Sequence, residues 1–159
     1  MLRNRNLFFL SLAVLVLSMG SCDSKRFYEE NKSIENGVWL STKFQSFTVN
    51  ISDTIARYDL FLNVRNDGTY PYSNLYLFLH TTLPGGKTAT DTVECQLADP
   101  DGKWRGSGPG NLKFNRFLFQ KAIAFPRKGI YRFDLEQAMR VKELKGIRDA
   151  GIRIEKQAR

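Results

Sequence analysis

Tyr58-Asp59-Leu60-Phe61-Leu62-Asn63-Val64, YDLFLNV, is the stretch whose reading decides the fold. Tyr58, Leu60, Leu62 and Val64 share one parity of a period-two repeat, as expected where a strand turns successive side chains to opposite faces. The signal continues outward in both directions. Upstream, Val38 to Phe44 and Phe47 to Ile51 form shorter candidate strands. Downstream, YSNLYLFLHTTL (72–83) is apolar on both faces around Leu75 to Leu79, as in a central strand. TATDTVECQL (88–97) alternates strongly, and FNRFLFQKAIAF (114–125) carries Phe117, Phe119, Ile123 and Phe125 on one parity. GIYRF (129–133) and GIRIEK (151–156) close the set. Turn chemistry at Asn66-Asp67-Gly68, Pro84-Gly85-Gly86, Asp99-Pro100-Asp101-Gly102 and Pro126-Arg127-Lys128-Gly129 separates these runs. About seven or eight short strands with such breaks predict an all-β chain, an antiparallel β-sandwich.

One segment departs from the pattern. Asp134 followed by Gln137 has the form of a capping box, and Leu135, Ala138 and Met139 share a helical face. Lys142 and Lys145 suit a final turn that Gly146 would close. These features predict a short connecting helix over 135–145.

The N-terminus carries an address. Arg3 and Arg5 precede an apolar run from Leu7 to Leu17, followed by Gly20, Ser21 and Cys22. The run is shorter than the roughly 20 apolar residues a membrane-spanning helix needs, so it reads as a cleaved leader over 1–21. A hydrophobic residue, two small residues and a cysteine resemble the lipobox of bacterial lipoproteins, although Met19 stands where Leu is usual. That resemblance implies cleavage before Cys22 and acylation of its thiol, with membrane lipid as the first partner. Residues 23–36, DSKRFYEENKSIEN, lack sustained periodicity. With Cys22 they read as a flexible tether (22–36), about 45 Å long when extended, leaving 37–159 as the sandwich domain.

The 159 residues carry a net charge of +8, unevenly placed. Residues 23–100 hold 7 Lys and Arg against 10 Asp and Glu, whereas residues 101–159 hold 15 against 6. A basic half suits nucleic acid, anionic head groups or an acidic protein, or is simply a solvated surface. An exported, lipid-anchored protein does not meet the chromosome, which leaves no nucleic-acid partner. With Cys22 committed to lipid, Cys95 has no partner in the chain and falls on the apolar parity of Val93 and Leu97, as a buried small hydrophobe.

Little in the chain points to chemistry. His80 is the single histidine, so neither a multi-His metal site nor an ordinary Ser-His pair is readily assembled, and a strand-end role hydrogen-bonded to backbone is expected. Asp99-Pro100-Asp101-Gly102 lacks the further oxygen ligands of a calcium loop and reads as a turn. Gly106, Gly108 and Gly110 are not followed by the Lys-Ser/Thr of a phosphate-binding loop. No catalytic residue, cofactor or small-molecule substrate is expected. The candidate partner-binding residues are Tyr70, Tyr72, Trp104 and Arg105, residue types that anchor interfaces. Two alternatives to a partner surface stay open for them: Trp104 folding back over the sandwich edge, and the tyrosines forming a rigid strand entrance. A carbohydrate-binding module using the same aromatics is the rival function.

Tyr70-Pro71-Tyr72-Ser73-Asn74-Leu75, Asp91 to Cys95, and Leu97-Ala98-Asp99-Pro100 to Gly102-Lys103-Trp104 resemble the gliding-motility lipoprotein GldH family of the Bacteroidetes. Gly129-Ile130-Tyr131, Gln137-Ala138-Met139-Arg140, Gly146-Ile147, Gly151 and Ile154 extend the resemblance over nearly all of the mature chain. It implies an envelope lipoprotein of the gliding machinery, linked to type IX secretion, with envelope proteins of those systems as partners and no catalytic residue. Similar proteins in non-gliding Bacteroidetes imply a more general role in secretion or envelope assembly. Lipoproteins displayed on the cell surface in that phylum carry acidic residues after the cysteine, whereas Asp23-Ser24-Lys25-Arg26 turns basic. The expectation is therefore the outer membrane, facing the periplasm.

Overall fold

A computed structural model describes residues 23–158; the expected leader 1–21 and Cys22 lie outside the described residues. The chain forms ten strands: β1 (Arg26–Ser33), β2 (Val38–Leu40), β3 (Gln45–Ile51), β4 (Tyr58–Asn66), β5 (Asn74–Thr82), β6 (Thr88–Gln96), β7 (Lys113–Ile123), β8 (Gly129–Gln137), β9 (Glu143–Lys145) and β10 (Ile147–Lys156). Two four-stranded antiparallel sheets, ordered β1-β10-β4-β7 and β3-β8-β5-β6, enclose one core, and β2 and β9 form a short ribbon. Tyr58, Leu60, Leu62 and Val64 are all buried, facing Leu75, Leu77 and Leu79 of β5 and Tyr131, Phe133 and Leu135 of β8 within the same cluster. Trp39 of the ribbon is buried as well, and its indole N–H donates to the Lys43 carbonyl at 2.8 Å.

The connections define two poles. At one, residues 52–57 join β3 to β4 and residues 124–128 join β7 to β8, beside the start of β1 and the end of β10. At the other, residues 67–73 join β4 to β5 and residues 97–112 join β6 to β7. Nine-residue β4 spans the distance between them, about 30 Å at the usual rise per residue.

Three expectations need correction. Most of the predicted tether is strand β1, paired with β10 from Arg26↔Glu155 to Ser33↔Asp149. Its inner face carries Tyr28, Glu30 and Lys32, with Tyr28 packed on the core and Lys32 over the Phe47 ring, so no apolar alternation marks it. The predicted helix is absent. Leu135 instead continues the alternation of Tyr131 and Phe133 in β8, and Glu143–Lys145 pairs with Val38–Leu40. Gln137 does not cap backward: its amide donates to the Val141 carbonyl at 2.8 Å and its oxygen accepts from the Met139 N–H at 2.9 Å, holding an irregular turn. The strand count is ten rather than seven or eight, because β1 and β9 arise from these two misread segments.

Candidate functional site

The pole reached by β4 and β6 gathers most of the aromatic residues singled out in the sequence. Trp104 is fixed by a bridge to Ala98, and the turn before it is closed by Gly102 N–H to Asp99 carbonyl at 2.9 Å, so Asp99 to Gly102 is turn chemistry as expected. Trp104 is half-buried against the core, 6.5 Å from the Tyr70 ring, and Tyr72 meets Tyr70 edge-on at 5.7 Å. The three rings form one cluster with distinct roles. Tyr70 is only 3% exposed and its hydroxyl donates to the Asn74 carbonyl at 2.7 Å, which makes it an interior support. Burial pushes that hydroxyl well above the usual tyrosine range. Tyr72 is exposed, and Trp104 offers one edge. Arg105 pairs with Asp99 at 2.6 Å on the surface, a contact that orients the guanidinium but adds little stability.

Close approach of the chain stiffens this cluster. Gly146, at φ +86°, lies against the backbone of Tyr70; a Cβ there would collide with the Tyr70 nitrogen and Cα. Its carbonyl accepts from Asp67 N–H at 2.9 Å, tying the turn before β10 to the segment carrying both tyrosines.

Beside the rim runs an open groove of about 540 Å³ on the outer face of the second sheet, lined by Tyr72, Tyr76, Phe78, Thr92 and residues 138–141. Tyr76 and Phe78 alternate with buried Leu75, Leu77 and Leu79, so the doubly apolar run of β5 has one face in the core and the other on this groove. Ala138 N–H donates to the Tyr76 carbonyl at 2.8 Å, and Gln137 shapes the wall. Nothing in the sequence marked Tyr76 or Phe78 as a site residue, and Met139 and Arg140 stood out only through the expected helix and the family resemblance; the signal available was the second apolar face of β5, which reads equally as a buried central strand.

His80 takes side-chain rather than backbone partners: Thr90 Oγ1 and Glu136 Oε2 each lie 2.9 Å from a ring nitrogen. Cys95 is buried in the core, and burial pushes its thiol up to about 12, with the Glu94 charge adding to the shift, as suits a small hydrophobe.

The sequence model of the GldH lipoprotein family matches residues 26–154, from the first residue of β1 nearly to the end of β10. The chain belongs to the GldH lipoprotein family. It is 37% identical over 148 residues to the gliding motility lipoprotein GldH homolog of Christiangramia forsetii, covering 89% of this chain and 90% of the relative. It is 35% identical over 161 residues to the gliding motility lipoprotein GldH of Flavobacterium johnsoniae, covering 97% and 98%. The residues that carried the GldH resemblance now have physical roles. The ADPDGKW block is the turn that presents Trp104, Gln137 builds the groove wall, and Gly146 permits the contact with Tyr70.

Proposed function

We propose that this GldH-family chain is a lipid-anchored envelope protein, acylated at Cys22 and held at the outer membrane facing the periplasm. There it serves the gliding machinery linked to type IX secretion as a non-enzymatic accessory, binding other envelope proteins through the pole remote from its N-terminus. The observation supporting this reading is the aromatic rim of exposed Tyr72 and half-buried Trp104, set beside an apolar groove and braced from within by Tyr70. Rigid aromatics at the edge of a pocket are the side chains that carry most binding energy in protein interfaces. An anchor at one end and a docking surface at the other raise the effective concentration of that surface near membrane-bound partners.

A photocrosslinking residue at Tyr76, in the groove, tests this in gliding cells against the same residue at exposed Thr48. Crosslinks from Tyr76 to motility or secretion components, absent from Thr48 and lost in a Cys22→Ala variant, are expected. Equal labelling from both positions, or recovery of glycan alone, would overturn the reading.

A further inference from the structure

The pole where β1 begins has the composition of a lipid-contacting surface, and five separate stretches of the chain build it. Lys25 and Arg26 lead into β1, Arg57 ends the β3–β4 connection, Lys87 lies in the β5–β6 turn, Lys121 near the end of β7, and Arg127 and Lys128 in the β7–β8 turn. All seven are exposed, and none enters an ion pair among the described residues. Four acidic groups at this pole are already held within the protein. Asp53 pairs with Lys156 at 2.8 Å, while Asp23 and Glu155 pair with Arg153 at 2.5 and 2.7 Å. Asp59 accepts from the Ala122 N–H at 2.7 Å and the Gln157 amide at 2.8 Å. What faces outward is therefore mainly cationic, seven basic side chains without an ion pair among the described residues.

An apolar tip stands among these charges. Ile55 is 80% exposed, the most exposed large hydrophobic side chain described. The Asp53 carboxylate accepts from the backbone N–H of Ile55 at 3.0 Å and of Ala56 at 3.1 Å, fixing the turn that presents it. An exposed apolar side chain at a pole that carries Lys and Arg suits the interface of an anionic bilayer, where the apolar chain enters the acyl boundary and the cations meet head groups.

The N-terminus meets the body at this same pole without slack. Asp23 is ion-paired to Arg153, and the Lys25 carbonyl accepts from Lys156 N–H at 2.8 Å. An anchor one peptide bond before Asp23 would hold this pole against the bilayer.

We infer that the pole formed by residues 25–26, 53–57, 87, 121 and 127–128 docks on anionic phospholipid head groups, with Ile55 inserted at the interface, so that the sandwich stands upright and its aromatic rim is held about 30 Å above the membrane. The orientation rests on the reading that Cys22 carries the anchor; the head-group contact is testable without it. The probes are sedimented vesicles of pure phosphatidylcholine and of equal parts phosphatidylcholine and phosphatidylglycerol. The protein is the chain from residue 22 onward with Ser replacing Cys22, which retains all ten strands. Binding to the phosphatidylglycerol vesicles, at least about tenfold above pure phosphatidylcholine and suppressed by salt, is expected. Arg127→Glu with Lys128→Glu, and separately Ile55→Asp, lower it, whereas Lys103→Glu with Lys142→Glu, an equal charge change at the opposite pole, leaves it in place. Equal loss in both double variants, indifference to phosphatidylglycerol, or no binding to either vesicle would overturn the inference. Intact mass of the protein from its native envelope reports separately on Cys22: an unmodified residue would defeat the anchored reading while leaving the vesicle result standing.

Discussion

Arg153 shows what a single residue contributes to this fold. Its side chain is only 4% exposed, and it pairs with Asp23 and Glu29 at 2.5 Å and with Glu155 at 2.7 Å. Glu29 also receives Asn63 and Arg116 at 2.9 and 2.6 Å. Burial by itself would raise the Glu29 carboxyl, but the hydrogen bonds from Arg153 and Asn63 and the nearby positive charges outweigh it and the group ends below its usual value. The Arg153 hydrogen bond draws Asp23 down in the same direction. For carboxyls depressed in the folded state, the stabilisation is present above the unfolded value of about 4 and is lost as pH falls through the folded values. Urea midpoints are therefore expected to hold level from about pH 7 to 5 and to decline below about 4. Arg153→Met takes the guanidinium away from exposed Asp23 and part-buried Glu29 and Glu155, costs about 2 kcal/mol at neutral pH, and flattens the acid decline; an unchanged midpoint and acid limb would contradict this network. The sequence showed Arg153 only as the outward residue between Ile152 and Ile154. Two of its three partners, Asp23 and Glu29, lie more than a hundred residues upstream, beyond the reach of any local pattern. Tyr72 and Trp104 stood out as large loop aromatics, but nothing local told whether Trp104 folds back, as its packing on the core shows it does in part, or that Tyr70, two positions from Tyr72, is interior.

The segment after β8 shows where local signals mislead about an element. Asp134, Gln137, Lys142, Lys145 and Gly146 all fit the ends of a helix, yet an isolated helix this short gains too little from propensity to form without packing. Packing is offered to the strand instead, since Tyr131, Phe133 and Leu135 enter the core at period two. Gln137, buried and bonded to both Met139 and Val141, then replaces a regular element with one amide. Gln137→Ala removes both bonds and strands a donor and an acceptor; the expected cost is about 2 kcal/mol. Hydrogen exchange should speed up at the Met139 amide while β8 amides follow global unfolding, and the groove wall should loosen. Unchanged exchange at Met139 would show that the turn holds its shape by other means.

At the scale of the molecule the sandwich was legible because its central strands are amphipathic and its turns carry Gly, Pro, Asn and Asp, so alternation and breaks agree. Its true N-terminal limit was not, because β1 joins through charge and backbone rather than through an apolar face. That difference yields a test of whether residues 23–33 are tether or fold. A tether can be removed without cost. Removal of β1 exposes the open edge of β10, withdraws Tyr28 from the core, and takes Asp23 and Glu29 away from buried Arg153. Gly151, where a Cβ would strike the Glu30 carbonyl and Asn31, would face a vacated slot. A domain's whole stability is about 5–15 kcal/mol, and taking two of its three carboxylate partners from Arg153 consumes about 3 of that before lost burial and ladder bonds are added. The chain from Ile34 onward is therefore expected to lose cooperative urea unfolding and its near-ultraviolet circular dichroism. A short Gly-Ser insertion between Cys22 and Asp23 should leave both unchanged, because it lengthens the lead without touching the strand. Cooperative unfolding of the shortened chain at the original midpoint would return residues 23–33 to the role of a spacer.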